Sequence, residues 1–356
     1  MIRWRRGVVR RVTGEWPGVL QLEVEADGDS LPALAYPDLV GQALPGDEVL
    51  LNTTALSQGL GTGGWALVVA VPGRLPSDPV GSGHLVKARY TPLQTTVLGA
   101  DEQGSPHHEL LRNTDSLDGM PVVVADLHSA LPAVLAGLLL DRPGTRVVYV
   151  MTDGGALPIW FSRTVSALRE CGWLAATVTT GQAFGGDLET VTLHTGLLAA
   201  RHALGAEVVV VTQGPGNLGT GTPWGFSGVA VGEDVNAVAV LGGRPVGALR
   251  ISGADPRERH QGVSHHAMTA FGRVALAACD VVVPDLPGEL GQRVRDDAST
   301  LGERHRLVSV GLDGLEAALR SCVVPLSTMG REYDEDSAYF LAAAAAGRHA
   351  AALLSE

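Results

Sequence analysis

From residue 121 onward, short runs of apolar residues alternate with longer stretches of helical periodicity. Uniformly apolar strands are typical of a parallel sheet covered on both faces by helices. We therefore expect an open, mostly parallel, Rossmann-like α/β sheet of six or seven strands. The predicted strands are Pro121–Ala125, Arg146–Met151, Leu174–Thr179, Glu207–Thr212, Pro245–Ile251, Asp280–Val283 and Leu307–Val310. The predicted helices are Leu131–Leu140, Leu157–Cys171, Leu188–Leu204, Val231–Leu241, Met268–Ala278, Pro287–Leu301 and Ser337–Ala346.

The first 71 residues show a different pattern, with short strands separated by turns and no predicted helix. Such spacing is typical of a small β-barrel or sandwich. Residues 72–83, PGRLPSDPVGSG, lack periodicity and are predicted to be a linker, so the α/β domain would span residues 84–356. The strands predicted in the first domain are Gly7–Val12, Val19–Ala26, Ala33–Tyr36, Glu48–Thr53 and Trp65–Val71.

The composition and the net charge limit the classes of partner that the protein is expected to bind. The net charge of −12 disfavours nucleic-acid binding, and no apolar stretch of about 20 residues indicates a membrane span. The three cysteines form no CxxC pair, which indicates a reducing, cytoplasmic compartment. We expect a small-molecule ligand, no nucleic acid, no membrane and, because dimers are common, a homodimer. An arginine cluster near the start is interpreted as a solvated strand face: Arg3, Arg5, Arg6, Arg10 and Arg11.

The loops that follow the predicted strands carry the candidate chemistry. In open parallel sheets, ligands bind at the carboxyl ends of the strands. Asp126 and His128 follow the first strand, Asp153 follows the second, and Asp255 follows the fifth. Loops expected at the opposite edge, such as Arg142-Pro143-Gly144, contain fewer residues capable of acid–base chemistry. Turn formation alone favours Gly, Asp and Ser, but it does not account for His and Asp concentrating on one side.

A glycine-rich loop follows the fourth predicted strand. Glycine lets backbone amides approach an anion closely, so this loop is a candidate for phosphate or carboxylate binding; an ordered loop with tight turns is the alternative. The segment matches neither a dinucleotide fingerprint nor a Walker loop. Its candidate ligand-binding residues are Gly214, Gly216, Asn217, Gly219, Thr220 and Gly221.

The densest group of ionisable residues is Ala254–His266, ADPRERHQGVSHH. His260, His265 and His266 are candidates for acid–base catalysis or metal ligation. Their spacing misses that of a helical zinc pair, and adjacent histidines usually point to different sides. A divalent metal would therefore need Asp126, His128 or Asp153 as well. Structural histidines, with Asp255 paired to Arg257 or Arg259, are the alternative, so the sequence specifies no cofactor.

Two functions are consistent with these residues. The first is an enzyme, a hydrolase or group transferase, acting on a small anionic or phosphorylated molecule. In it the glycine loop holds the anion, Arg257 or Arg259 neutralises charge, and the aspartates and histidines supply acid–base chemistry. The second is a non-catalytic ligand-binding or sensor protein whose β domain contacts a partner.

Five sequence blocks resemble the domain of unknown function 3866 family, which is largely actinobacterial. The resemblance extends over nearly the whole chain. It implies a cytoplasmic bacterial protein but no activity, so no catalytic residue is transferred from it. The blocks are GMPVVVADLHS, YVMTDGGALP, GQAFGGDLETVT, GPGNLGTGTPWGFSG and ADPRERHQGVSHH.

Overall fold

The structure is a computed structural model that describes residues 1–61, 63–81 and 83–355. Thr62, Ser82 and Glu356, which belong to the predicted barrel, linker and α/β domain, lie outside the described residues. The chain divides into two compact units. One comprises Met1–Ser82 with Val86–Val97, and the other comprises Gly83–Leu85 with Leu98–Glu356.

Five strands of the first unit form a closed barrel in the order β1-β2-β3-β5-β4, which confirms the predicted N-terminal barrel. The prediction of no helix was wrong in detail, because the single turns α1 (Pro37–Val40) and α2 (Thr54–Ser57) precede β4 and β5. Pro37 suits a first helical turn, where its missing amide hydrogen is not needed. The strands are β1 (Trp4–Trp16), β2 (Val19–Ala26), β3 (Asp29–Ala35), β4 (Glu48–Asn52) and β5 (Ala66–Ala70).

The arginines of β1 lie on the outside of the barrel. Arg10 pairs with Glu25 and Arg11 pairs with Glu23 on the neighbouring strand β2, and all four side chains are partly or largely exposed. The barrel interior is instead filled by buried apolar residues such as Leu22. The pairing agrees with a solvated strand face, to which exposed ion pairs contribute little stability.

An eight-stranded, all-parallel sheet forms the centre of the second unit, which confirms the predicted α/β fold with one strand more than expected. Its order is β11-β10-β9-β12-β8-β13-β16-β17. The strands are β8 (Pro121–Val124), β9 (Val147–Thr152), β10 (Ala176–Thr179), β11 (Leu188–Glu189), β12 (Val208–Gln213), β13 (Arg244–Ala248), β16 (Asp280–Pro284) and β17 (Arg306–Val310). Among the described residues of this unit, two two-stranded ladders accompany it: β14 (Ile251–Ser252) with β15 (Gly262–Val263), and β18 (Ser327–Thr328) with β19 (Arg331–Glu332). A further ladder, of β6 (Leu85–Lys87) with β7 (Thr95–Val97), belongs mostly to the first unit.

Helices cover both faces of this sheet, and each face has its own apolar core. In β8, Val123 contributes to one core, while Val122 and Val124 contribute to the other, as the two-residue period of a strand requires. No helix among the described residues combines the length and apolar character needed to cross a membrane. The helices are α3 (His108–Leu111), α4 (Leu131–Asp141), α5 (Arg163–Glu170), α6 (Leu193–Leu198), α7 (Val231–Val240), α8 (His265–Thr269), α9 (Gly288–Ser299), α10 (Leu315–Arg320) and α11 (Ser337–Leu353).

The strand order creates a crevice between β8 and β12. After β8 the chain passes through α4 to β9, whereas after β12 it passes through α7 to β13, in the opposite direction and on the opposite face. Connections that diverge from adjacent parallel strands leave a gap at their carboxyl ends, where ligands bind in open α/β sheets. The topology therefore predicts that a ligand site lies at the loops that follow β8 and β12.

Several predicted element boundaries were wrong. Leu188 and Glu189 form the edge strand β11 rather than a helix, because they pair with Val178 and Thr179 and the Glu189 carboxylate accepts a hydrogen bond from the Thr179 hydroxyl at 2.7 Å. The predicted helix Leu157–Cys171 begins only at Arg163, where the Ser162 hydroxyl caps α5.

Two further boundaries change the candidate site. The predicted strand Pro245–Ile251 ends at Ala248, and Ile251 belongs instead to the ladder of β14 with β15. The predicted helix Met268–Ala278 begins earlier, at His265, because the Ser264 hydroxyl accepts a hydrogen bond from the His266 amide. It ends at Val274 in a π-helical turn, after which Ala275 is extended.

Helices α4 and α11 pack against each other at very short range. A Cβ atom at Gly137 would collide with the backbone of Ala344, and one at Gly347 would collide with the carbonyl group of Val134. Neighbouring alanines of α11, including Ala344 and Ala346, are buried. Glycine and alanine therefore set the distance between these two helices, as close packing of backbones requires.

We predict that Gly347→Ala lowers the free energy of unfolding by about 1–3 kcal/mol, because the added methyl group overpacks the contact. In a helix with free space at this position, the same change would raise the free energy of unfolding by up to about 1 kcal/mol. The sign of the measured change therefore distinguishes the two cases. Chemical denaturation measures the effect. Gly311→Ala is the control, since no atom lies within 4 Å of its Cβ position. A stabilised Gly347→Ala protein would contradict the packing described here.

Candidate functional site

A cavity of about 360 Å³ lies at the crevice between the loops that follow β8 and β12. His128 and Ser129 line it from the β8 side, and Gln213 to Asn217 line it from the β12 side. Ser162, at the start of α5, forms a further wall. The cavity therefore occupies the place that the strand order indicates for a ligand, and its size lies at the lower end of small-molecule pockets.

A chain of hydrogen bonds ends at this cavity. The His128 ring bonds Ser162 Oγ through Nε2 at 2.7 Å and Tyr149 Oη through Nδ1 at 3.0 Å. Tyr149 Oη lies 2.8 Å from Thr212 Oγ1, which donates to the Gln213 carbonyl oxygen. Burial lowers the pKa of His128 to about 4, so the imidazole is neutral at pH 7.

A second group of side chains surrounds three histidines: His260, which lies between β14 and β15, and His265 and His266, which begin α8. One nitrogen atom from each of His260, His265 and His266 lies within 4.8 Å of the other two. Phe226 stacks on His266 with ring centroids 3.8 Å apart. The expectation that His265 and His266 point to different sides was wrong: their ring centroids are 4.4 Å apart, because Ser264 caps α8 and fixes both at its first turn.

Arg250 is the buried cation of this group, which we call the Arg–His cluster: Arg250, His260, His265 and His266. Its guanidinium lies 3.3 Å from His266 Nδ1 and 3.8 Å from the nearer carboxylate oxygen of Asp126. The Arg250 residue is only 5% exposed. A distance of 3.8 Å is too long for a hydrogen bond, so the ion pair with Asp126 compensates the buried charge only in part.

Burial and positive charge keep the three imidazoles neutral. Burial, with Arg250 adding to it, lowers the pKa of His260 and of His266 to about 3. The pKa of His265 is also lowered, by burial first and then by Arg259. Burial raises the pKa of Asp126, while Arg250 opposes this rise. The surroundings of the Arg–His cluster therefore favour the loss of protons from its imidazoles and carry positive potential.

The glycine-rich loop after β12 divides between the cavity and the Arg–His cluster. Gly214, Gly216 and Asn217 line the cavity. Gly219, Thr220 and Gly221 lie farther along the loop and are exposed; a Cβ atom at Gly219 would lie 4.0 Å from His266, and one at Gly221 would lie 3.4 Å from Arg259. The predicted ligand-binding loop thus contributes to two places at the same edge rather than to one cradle.

Three of the predicted residues are engaged elsewhere. Asp153 is exposed, and its carboxylate accepts a hydrogen bond from the Gln182 amide rather than lining the cavity. The Asp255 carboxylate is buried and pairs with Arg257 at 2.8 Å and with Arg331 at 3.2 Å. The hydrogen bonds from Arg257 hold the pKa of Asp255 below its usual range. For Asp255 and Arg257, the pairing agrees with the structural alternative.

Buried polar atoms without a hydrogen-bond partner are concentrated at this edge. Among the described residues they are Asp126 Oδ2, Gln213 Oε1 and His265 Nε2. Buried polar groups in proteins are nearly always paired, so each such atom calls for an explanation, of which a bound ligand is one.

Sequence reasoning missed Arg250, Ser162 and Tyr149. Arg250 was placed inside a predicted apolar strand, where a lone charge was itself the available signal. Ser162 was placed inside a predicted helix, and only the true start of α5 exposes its role. Tyr149 lies in β9 and is completely buried, so no sequence pattern distinguishes it from a core residue.

A larger cavity, of about 530 Å³, lies near the loops at the amino ends of the strands. It is lined by Pro143, Gly144 and Trp173, and its single ionisable lining residue among those described is Arg146. Arg146 already donates to the Leu204 carbonyl oxygen. The larger cavity therefore offers space without acid–base groups, and the smaller one is the better candidate.

Comparison with known proteins places the chain in a family but assigns no role to its residues. No curated protein matches the chain. The family model described as a protein of unknown function (DUF3866) matches residues 32–347, which include the cavity, the Arg–His cluster and the part of the barrel from the middle of β3 onward. The chain therefore belongs to the DUF3866 family.

Proposed function

We propose that the protein is a cytoplasmic enzyme, a hydrolase or group transferase, that acts on a small anionic molecule at the carboxyl edge of its parallel sheet. In this proposal the Arg–His cluster binds the anionic group. The observation that carries it is the buried guanidinium of Arg250, whose nearest carboxylate oxygen is 3.8 Å away. A bound anion would supply the missing hydrogen-bond acceptors and compensate the charge.

The hydrogen bond between Arg250 and His266 supports an anion over a cation. Arginine carries donors only, so Arg250 donates to His266 Nδ1, and the proton of the neutral ring must then reside on Nε2. A protonated Nε2 donates hydrogen bonds to an anion and cannot ligate a metal through that atom. The potential of Arg250, Arg257 and Arg259 also favours negative charge.

A metal centre is the second candidate, and the geometry of the three histidines favours it. Their nitrogen atoms lie within 4.8 Å of one another, and neutral imidazoles are the form that ligates metals. Three protein ligands are also the number found in catalytic zinc sites. Against this, a cation would lie beside the buried charge of Arg250, which is why we prefer the anion.

Arg250→Gln should weaken phosphate binding by about 10- to 100-fold, because charge-assisted hydrogen bonds contribute about 1.5–3 kcal/mol. Isothermal titration calorimetry with inorganic phosphate and with pyrophosphate measures this. Arg306→Gln is the matched control, since Arg306 pairs with Asp280 at the amino ends of β16 and β17. His265→Ala provides a second test. It should also weaken phosphate binding, with little effect on the melting temperature.

Wild-type protein that binds neither anion, or Arg250→Gln protein that binds both as tightly as the wild type, would exclude this assignment. Binding that is equally weakened by Arg306→Gln would indicate a nonspecific effect of net charge instead.

The metal alternative has its own test. We expect protein purified and then incubated with zinc to retain less than stoichiometric metal after gel filtration, as measured by elemental analysis, because Arg250 lies against the histidines. Stoichiometric zinc that is lost in His265→Ala would contradict the anion assignment and support the metal centre.

A further inference from the structure

The cavity beside the Arg–His cluster carries an arrangement that the anion assignment does not use. We propose that Ser162 is a nucleophile and His128 its general base, in a site that cleaves short-chain carboxylic esters. The observation is the 2.7 Å hydrogen bond between Ser162 Oγ and His128 Nε2 at the wall of a 360 Å³ cavity. This proposal goes beyond the proposed function and depends on different residues.

Hydrogen-bond directions support the assignment of roles. Thr212 Oγ1 donates to the Gln213 carbonyl oxygen and so accepts from Tyr149. Because the Tyr149 proton is used there, Tyr149 Oη accepts from His128 Nδ1–H. The other nitrogen, Nε2, then has a free lone pair, as a general base for a serine hydroxyl requires.

The surroundings of Ser162 point in the same direction. Its Oγ accepts the hydrogen bond of the Val165 amide at 3.1 Å, so its own proton is directed to His128. A serine that only capped α5 would need no imidazole at this distance. The helix cap therefore fixes the Ser162 rotamer, and Tyr149 fixes the ring of His128 from the buried side.

The walls of the cavity define the substrate class. Leu127, Pro132, Phe161 and Met329 give it an apolar lining, and its volume admits a short acyl group rather than a long chain. Arg163 lines the same cavity and is exposed, so an ester that also carries an anionic group is favoured.

The reaction balances with water as the only co-reactant. Ser162 Oγ attacks the carbonyl carbon as its proton passes to His128 Nε2, and the bond from that carbon to the alcohol oxygen breaks as the alcohol takes this proton. Water then attacks the acyl carbon and gives a proton to Nε2. The bond between the acyl carbon and Oγ breaks, Ser162 regains its proton, and the carboxylic acid leaves.

A fluorophosphonate probe tests the proposal without knowledge of the natural ester. Oγ displaces fluoride from phosphorus, and mass spectrometry of the digested protein locates the adduct. We expect the adduct on Ser162. Its rate of formation should fall about 100-fold or more in His128→Gln, the magnitude typical of loss of a general base. Ser166→Ala, one turn later in α5 and only half-buried, is the control.

Two further measurements keep the test independent of folding defects. Ser162→Asn retains a side-chain oxygen that can cap α5 and should abolish labelling. In the wild type, labelling at pH 5 should stay within about twofold of that at pH 7, since a base with a pKa of about 4 is still mostly unprotonated there. A histidine with an ordinary pKa near 6.5 would slow about 30-fold at pH 5 relative to its fully unprotonated form.

The wild type should hydrolyse p-nitrophenyl acetate and butyrate faster than the decanoate. This hydrolysis should be lost in Ser162→Asn and slowed in His128→Gln, as labelling is. An unlabelled wild type, an adduct on Ser129 instead, or labelling unchanged in His128→Gln would overturn the proposal. Phosphate binding measured on the same Ser162→Asn protein separates this outcome from failure of the anion assignment.

Discussion

Strands buried on both faces of a parallel sheet determine where chemistry can gather in this protein. Most residues of such strands are apolar, so charged groups are largely excluded from them and occupy the loops. Because the strands of this sheet are all parallel, every loop that follows a strand emerges at the same edge. The divergence of the chain after β8 and β12 then opens the crevice that holds His128 and Asn217.

Electrostatics at this edge differ from those of the whole chain. The sequence carries a net charge of −12, yet arginines dominate the potential around the Arg–His cluster. Asp255 offsets part of that charge through its pairing with Arg257 and Arg331, whereas Arg250 is poorly compensated. An anionic ligand would therefore experience a positive local potential, although the net charge of the chain is negative.

The fold was largely predictable from the sequence, because continuous apolar runs mark buried strands directly. β8, β9, β10 and β12 lie within two residues of their predicted bounds. The edge strand β11 was missed because its two residues, Leu188 and Glu189, are too few to show a period and depend on pairing with β10. Propensity cannot reveal a strand that is defined by its neighbour.

The site was predictable only in part. Sequence placed Asp126, His128 and the histidines at one edge, but it could not show that they separate into a cavity and a cluster. Contacts such as His128 with Ser162, 34 residues apart, and Arg250 with His266 depend on side-chain directions set by tertiary packing. The short spacing of His265 and His266 was misleading, because a helix start, rather than an extended chain, determines where they point.

The protonation of His266 is the most direct test of the account, because the preference for an anion depends on a proton at Nε2. Nitrogen-15 NMR of histidine-labelled protein at pH 7, recorded with and without inorganic phosphate, distinguishes the tautomers. We predict a neutral ring protonated at Nε2 whose resonances shift when phosphate is added. A ring protonated at Nδ1, together with resonances that do not respond to phosphate, would contradict it.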